Sequence, residues 1–192
     1  IFGLQGHVAY PDRANNPSTI IVEILRELKN IKFDKGTYNF QPTNLEVTKI
    51  NINNTADNVI PATAEATFNI RFNNKHSSKS IKKKLNKIFN KINKKFKSKF
   101  KIEYRVSGEA FLTKPNKTTF MIQNIVKKIT KINPKLSTTG GTSDLRFIKE
   151  ISPGLEFGLV GKTMHKVDEA VSLKDLKKLT KIYFNILDNY FK

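Results

Sequence analysis

The chain has 192 residues, 35 Lys plus Arg against 16 Asp plus Glu for a formal charge of +19, and neither Cys nor Trp. This length supports one large domain or two small ones around a buried core, and the lack of Cys excludes a disulfide scaffold and any Cys-ligated zinc or iron–sulfur site. No apolar run approaches the roughly 18 to 20 residues needed to cross a bilayer, and the opening segment lacks the basic start and apolar centre of a signal peptide, so the chain reads as soluble, cytoplasmic and without a membrane partner.

Phe2 to Ala9 reads as a short apolar strand, already under way at Ile1, which fits a fragment of a longer protein. Asn16 and Pro17 punctuate, and Ser18 is placed to cap a helix whose apolar positions Ile21, Ile24, Leu25 and Leu28 recur at helical spacing. After a loop rich in Lys, Gly, Asn and Pro come Leu45 to Ile52 and then Ala62 to Phe72. In the latter, Ala64, Ala66, Phe68 and Ile70 alternate with Thr63, Glu65, Thr67 and Asn69, the mark of a strand with one buried face. Ile81, Leu85, Ile88, Phe89, Ile92 and Phe96 fall at steps of three and four, predicting a Lys-coated amphipathic helix from Ser77 to Lys95. The period returns to two at Phe100, Ile102, Tyr104 and Val106. The order βαββαβ is the ferredoxin-like pattern, an antiparallel sheet with two helices on one face.

Beyond Gly108 the texture becomes α/β. Phe120 to Ile129 predicts a helix stopped by Asn133-Pro134, and a Thr/Gly-rich segment leads to a short helical stretch around Leu145 to Lys149. Leu155 to Val160 suits a buried strand, and a closing helix runs from Ser172 to Phe191 with Leu173, Leu176, Leu179, Ile182 and Ile186 on one face. Two short strands cannot make an independent sheet, so residues 110–192 read as part of a larger domain beside a first domain at 1–109.

Reactive side chains are few. His76 sits in the polar turn Asn73-Asn74-Lys75-His76-Ser77 and reads as solvated surface. His7 follows Gln5-Gly6, and His165 lies just past the expected strand at 155–160, where α/β sheets place ligands and catalytic groups. Taken alone, a His in either place is more often structural than functional. No His-x-x-x-His spacing occurs, so His165 supplies at most one ligand of a metal site whose other members lie elsewhere. Ser137 to Asp144, with paired glycines, either turns backbone N–H groups toward an anion such as a carboxylate or forms a glycine turn with a helix cap. It lacks the Gly-Lys-Ser/Thr ending of a phosphate loop, and no Gly-x-Ser-x-Gly elbow is present.

The segment Gly3-Leu4-Gln5-Gly6-His7-Val8-Ala9-Tyr10-Pro11, with Asn16-Pro17 after it, resembles the lid signature of bacterial succinyl-diaminopimelate desuccinylases, members of the co-catalytic zinc deacylases and exopeptidases. Four more segments resemble that family in the same order: Asn58-Val59-Ile60-Pro61 with Phe68-Asn69-Ile70-Arg71; Ser107 to Thr113; Thr139 to Phe147; and Glu156-Phe157-Gly158 with Thr163 to Glu169. The resemblance implies a ferredoxin-like lid, paired in a homodimer, inserted between two halves of a zinc-peptidase-like α/β catalytic domain. The chain then corresponds to the lid and the second half, without the first half that carries the remaining metal ligands and the general-base Glu.

The implied reaction is hydrolysis of N-succinyl-LL-2,6-diaminopimelate to succinate and LL-2,6-diaminopimelate, a small-molecule substrate of lysine and diaminopimelate biosynthesis. Paired Zn²⁺ ions, with Co²⁺ a substitute, would lower the pKa of a water, polarise the amide carbonyl and stabilise the oxyanion. By the same resemblance His165 ligates one zinc, and His7 reaches into the partner subunit's site to donate to the oxyanion. Arg71 clamps a substrate carboxylate, and Tyr10, Asn58, Ser107, Gly141 and Thr142 hydrogen-bond the substrate. A related amidohydrolase, such as an acetylornithine deacetylase or metallocarboxypeptidase, is the alternative within the class.

The charge supports a rival of another class. Residues 75 to 101 hold 12 Lys and no Asp or Glu, a pattern that could grip nucleic acid. Yet only five of the basic residues are Arg, they travel with 20 Asn, and the polar face carries no interleaved aromatics. Compositional bias spread over solvated faces accounts for that charge, and no nucleic-acid partner is expected.

Overall fold

The computed structural model describes residues 1–141 and 144–192, which divide into two compact units, Ile1–Ala110 and Phe111–Lys192. In the first unit the chain runs β1 (Gly6–His7), a 3₁₀ turn at Pro11–Arg13, α1 (Pro17–Lys29), β2 (Asn44–Asn51), β3 (Val59–Ile60), β4 (Glu65–Arg71) and α2 (Ser78–Phe96). β1 pairs antiparallel with β3, and β2 pairs antiparallel with β4. Phe2 bridges both Thr63 and Lys99, again antiparallel. The lateral order is therefore Lys99, the opening segment, the 59–71 segment and β2, which is the split arrangement expected for βαββαβ.

Two expected strands are reduced. The opening strand is interrupted because Leu4 exchanges backbone hydrogen bonds with Asn15 at 2.9 and 3.0 Å, folding the segment onto its own loop. The strand expected at Phe100 to Val106 pairs only through the bridge at Lys99, although Phe100 and Tyr104 still face the core. Its alternation is real, but ladder hydrogen bonds require a neighbour that follows it.

The helices follow local rules. Asn16, not Ser18, caps α1, accepting from the Ser18 N–H at 2.9 Å, with Pro17 at the first helical position where its missing N–H costs nothing. Ser77 and Ser80 form a reciprocal capping box at the start of α2. Ile20, Ile24 and Leu28 of α1 meet Ile81, Leu85, Phe89 and Ile92 of α2, with Leu45, Phe68 and Ile70 of the sheet packed beneath. Burial of each such side chain contributes about 1.5–3 kcal/mol. On the wet edge, Glu23 accepts from Arg26 and Lys95, which hold its carboxyl down to about 2, and Glu27 pairs with Lys91.

The second unit holds α3 (Lys117–Thr130), α4 (Leu145–Ile148) and α5 (Leu173–Tyr190). Ile125 and Val126 pack on Ile182, with Phe157 and Ile186 alongside. The strand expected at Leu155 to Val160 is not formed: no described residue of this unit offers a strand to pair with, and Leu159 and Val160 are exposed. Likewise Leu173 and Leu176 lie exposed on a face expected to be buried. The α/β class is as expected.

Candidate functional site

His7, Tyr10 and Asn58 come together at one end of the first unit. The bond from Val8 N–H to the Asn58 carbonyl, at 3.1 Å, extends the β1–β3 pairing, in which His7 stands opposite Val59. The 3₁₀ turn then returns Tyr10 so that its ring lies 5.9 Å from that of His7, with the Arg13 guanidinium 5.2 Å over the Tyr10 ring. His7 is exposed, and its Nδ1 accepts the Ala9 N–H at 3.1 Å. With Nδ1 accepting, Nε2 is the ring nitrogen left to donate outward.

His165 is exposed in the second unit, in the left-handed region at φ 60, as is Asp168 at φ 57. Non-glycine residues rarely adopt this backbone, and here a hydrogen-bonded loop enforces it. The Thr163 hydroxyl bridges the Ala170 carbonyl and N–H at 2.8 and 2.9 Å, and the His165 N–H donates to Glu169 Oε2 at 3.1 Å. Among the described residues only the backbone of His165 finds a partner, which leaves the imidazole available as a metal donor. Among the described residues no three His, Asp or Glu side chains converge to hold a metal ion. One exposed imidazole fits one donor of a shared site. Gly141 is exposed, with no atom of the described residues within 4 Å of where a Cβ would lie, while Thr142 and Ser143 lie outside the described residues. Ser107 is exposed beyond the last sheet contact.

Arg71 closes β4, opposite Asn44 of β2, and is exposed. It stands at the far end of the 58–71 segment from His7, Tyr10 and Asn58, a span of up to about 40 Å if extended. The structure therefore does not gather all sequence-predicted residues of this unit: it groups three and sets Arg71 apart.

His76 corrects the sequence reading. Its side chain is 16% exposed rather than solvated, its Nε2 lies 3.2 Å from Asp34 Oδ2, and its ring meets Phe33 edge-on. Burial pushes the Asp34 carboxyl up, but hydrogen bonds from Thr43 and Asn73 and from the backbone N–H groups of Gly36 and Thr43 outweigh it and hold the group well below the usual carboxylate range. Sequence reasoning missed this cluster. Its one local signal is Asp34-Lys35-Gly36, where an Asp accepts from the N–H two residues on.

The cationic side of α2 forms an open groove lined by Ser78, Lys79, Lys82, Lys83, Asn86, Lys87 and Asn90. Several Lys of this helix are already engaged: Lys91 and Lys95 pair with α1, and Lys84 donates to the Lys32 carbonyl at 2.8 Å over the Phe33 ring. No helix among the described residues is long and apolar enough to cross a membrane.

Residues 1–97 match the M20 peptidase dimerisation domain. The chain belongs to that family. As an M20 dimerisation-domain chain it is 78% identical over 191 residues to the succinyl-diaminopimelate desuccinylase of Pelagibacter ubique, covering 100% of this chain and 50% of that protein. It is 48% identical over 187 residues to the same-named protein of Rickettsia felis, covering 97% and 49%. The chain thus spans about half the length of the curated relatives it matches. Among solved structures it is similar to the aminopeptidase PepT from Bacillus cereus, with TM-score 0.72, 16% identity and coverage of 100% of this chain and 50% of that one. It is also similar to AtUAH in complex with (S)-hydroxyglycine, with TM-score 0.75, 18% identity and coverage of 97% and 44%. Likeness at that identity bears on the fold, and it agrees with the α/β class.

Proposed function

We propose that this chain is the lid, residues 1–109, and the second catalytic segment, residues 110–192, of a cytoplasmic zinc-dependent hydrolase that cleaves N-succinyl-LL-2,6-diaminopimelate to succinate and LL-2,6-diaminopimelate. The observation that carries the reading is the 78% identity to a succinyl-diaminopimelate desuccinylase across the whole chain, with His7 and His165 both held by their own loops with imidazoles exposed. Exposed apolar side chains of the second unit, among them Phe147, Ile151, Val160, Leu173 and Phe184, suit a segment that packs on another half.

The residues divide the work. His165 would hold one zinc through its imidazole, and the paired metal supplies Lewis acidity and a nucleophile at neutral pH. His7 donates its Nε2 proton toward the oxygen that gains charge as the amide carbonyl is attacked, a donor worth about 10²–10³ in turnover. Arg71 binds a substrate carboxylate as a two-pronged donor, which a Lys could not do with the same geometry. Tyr10, Asn58, Ser107, Gly141 and Thr142 surround the substrate.

The separation of Arg71 from His7 supports a homodimer joined through the lids, because one lid cannot bring both ends of its sheet to one small substrate. Each lid then serves two sites, with Arg71 at one and His7, Tyr10 and Asn58 at the other. The test is an assay of a zinc-loaded full-length enzyme carrying this chain, with N-succinyl-LL-2,6-diaminopimelate compared with N-acetylornithine. Selective release of succinate, absent for the chain alone, supports the reading. Preference for the acetyl substrate overturns the substrate, and His165→Ala retaining both zinc equivalents overturns that ligand.

A further inference from the structure

At the end of the first unit's sheet opposite His7, a knot of buried polar groups lies outside the chemistry described above. The Asp34 side chain is 5% exposed, Thr43 8% and Asn73 2%. Asp34 Oδ1 accepts from the Gly36 N–H and from Asn73 Nδ2, each at 2.6 Å, and the carboxylate also receives the Thr43 N–H at 3.3 to 3.4 Å. Asn73 Nδ2 donates further to the Gln41 carbonyl at 3.0 Å, its N–H to Thr43 Oγ1 at 3.3 Å, and its Oδ1 accepts the Lys75 N–H at 2.9 Å.

The location of these ties matters. Thr43 directly precedes Asn44, the register partner of Arg71, and Asn73 follows Arg71 by two residues. The knot therefore grips both strands at the rung that carries Arg71, where a two-stranded ladder would otherwise fray. Apolar side chains would fill the same volume at no desolvation cost. What a buried, hydrogen-bonded carboxylate adds is direction, since each of its bonds tolerates little angular drift. A guanidinium meeting a carboxylate with two parallel bonds needs that direction, because a misplacement of about 1 Å can cost orders of magnitude.

We infer that Asp34, acting through Asn73 and Thr43, is a positioning residue for Arg71 and sets the angle at which its guanidinium receives a substrate carboxylate. This rests on the reading of Arg71 as the carboxylate clamp.

The experiment compares Arg71→Ala, Asp34→Asn, Asn73→Ala and the double variant Asp34→Asn/Arg71→Ala in the full-length zinc-loaded enzyme, with kcat expressed per metal-loaded site. Arg71→Ala is expected to raise KM about a hundred-fold. Asp34→Asn and Asn73→Ala should each raise KM about ten-fold while kcat stays within about two-fold. The double variant should be no worse in KM than Arg71→Ala, because the knot acts only through that side chain. Should Asp34→Asn not fold, Asn73→Ala and its double with Arg71→Ala carry the same comparison. A raised KM in Arg71→Ala with unaltered KM in the knot variants overturns the inference alone, as do multiplicative effects in the double variant. Unchanged KM in Arg71→Ala overturns the clamp, and the inference falls with it.

Discussion

Sharing of each active site between two lids can be tested by mixing two dead enzymes. Replace His7 by Ala in one full-length preparation and His165 by Ala in another. His7 is exposed and makes one local side-chain hydrogen bond, so His7→Ala should cost at most about 0.5 kcal/mol of stability. Its cost in turnover should be about 10²–10³, the worth of one oxyanion donor. His165 engages its loop only through its N–H, which Ala retains, so that variant should also fold while losing one zinc equivalent. If the two preparations are dissociated and re-paired at random, about half of the dimers are mixed, as a two-fold isologous pairing requires. In a mixed dimer the subunit with an intact His165 receives an intact His7 from its partner, whereas the other site lacks both. One site in two works, so activity should return to about a quarter of wild type from a background near zero. The assay is succinate release before and after re-pairing, with heterodimer formation checked by mass spectrometry. If His7 served the site of its own subunit, each mixed dimer would hold two sites lacking one group apiece. A mixture confirmed as heterodimeric yet as inactive as its parents would refute the argument.

Other expectations concern the scaffold. Leu85 is 1% exposed between α1 and α2, and Leu85→Ala should destabilise the fold by about 2–5 kcal/mol in urea unfolding, with Lys87→Ala as a control within about 0.5 kcal/mol. Gly36 has φ +82, and a Cβ there would lie 2.7 Å from the Phe40 carbonyl oxygen, so Gly36→Ala should cost about 1–3 kcal/mol; a neutral result would mean that the loop relaxes. The Asp34 carboxyl is depressed in the folded state, so its stabilisation is present in full above the ordinary value of 3.8 and is lost as pH falls from there toward the folded value. Urea midpoints measured from about pH 6 to about pH 3 should fall more steeply for wild type than for Asp34→Asn, and parallel profiles would contradict that linkage.

What could be read from the sequence depended on how far away the cause lay. α2 and α1 were legible because their apolar stripes repeat at helical spacing, although the cap of α1 is Asn16 and not Ser18. β4 was legible because its alternation matches a sheet with one face on the helices. Phe100 to Val106 alternates in the same way and Leu155 to Val160 is a compact apolar run, but a strand is a relation between two segments, and a pattern in one does not supply its partner. His76 was misread for the same reason. Its sequence neighbours are polar, and what removes it from solvent is Asp34, 42 residues earlier. The candidate site shows both limits together. His7, Tyr10 and Asn58 are assembled by a 3₁₀ turn and one strand pair, and two short motifs, at 3–11 and 58–61, pointed to them. The polar knot is built from residues 34, 41, 43, 73 and 76, which no motif spans, and only the fold shows that they meet beside Arg71. Had Arg71 stood beside His7, one lid could have closed over one substrate. On the proposed function, its place a strand's length away makes pairing of lids the means by which a small substrate would be held at both ends.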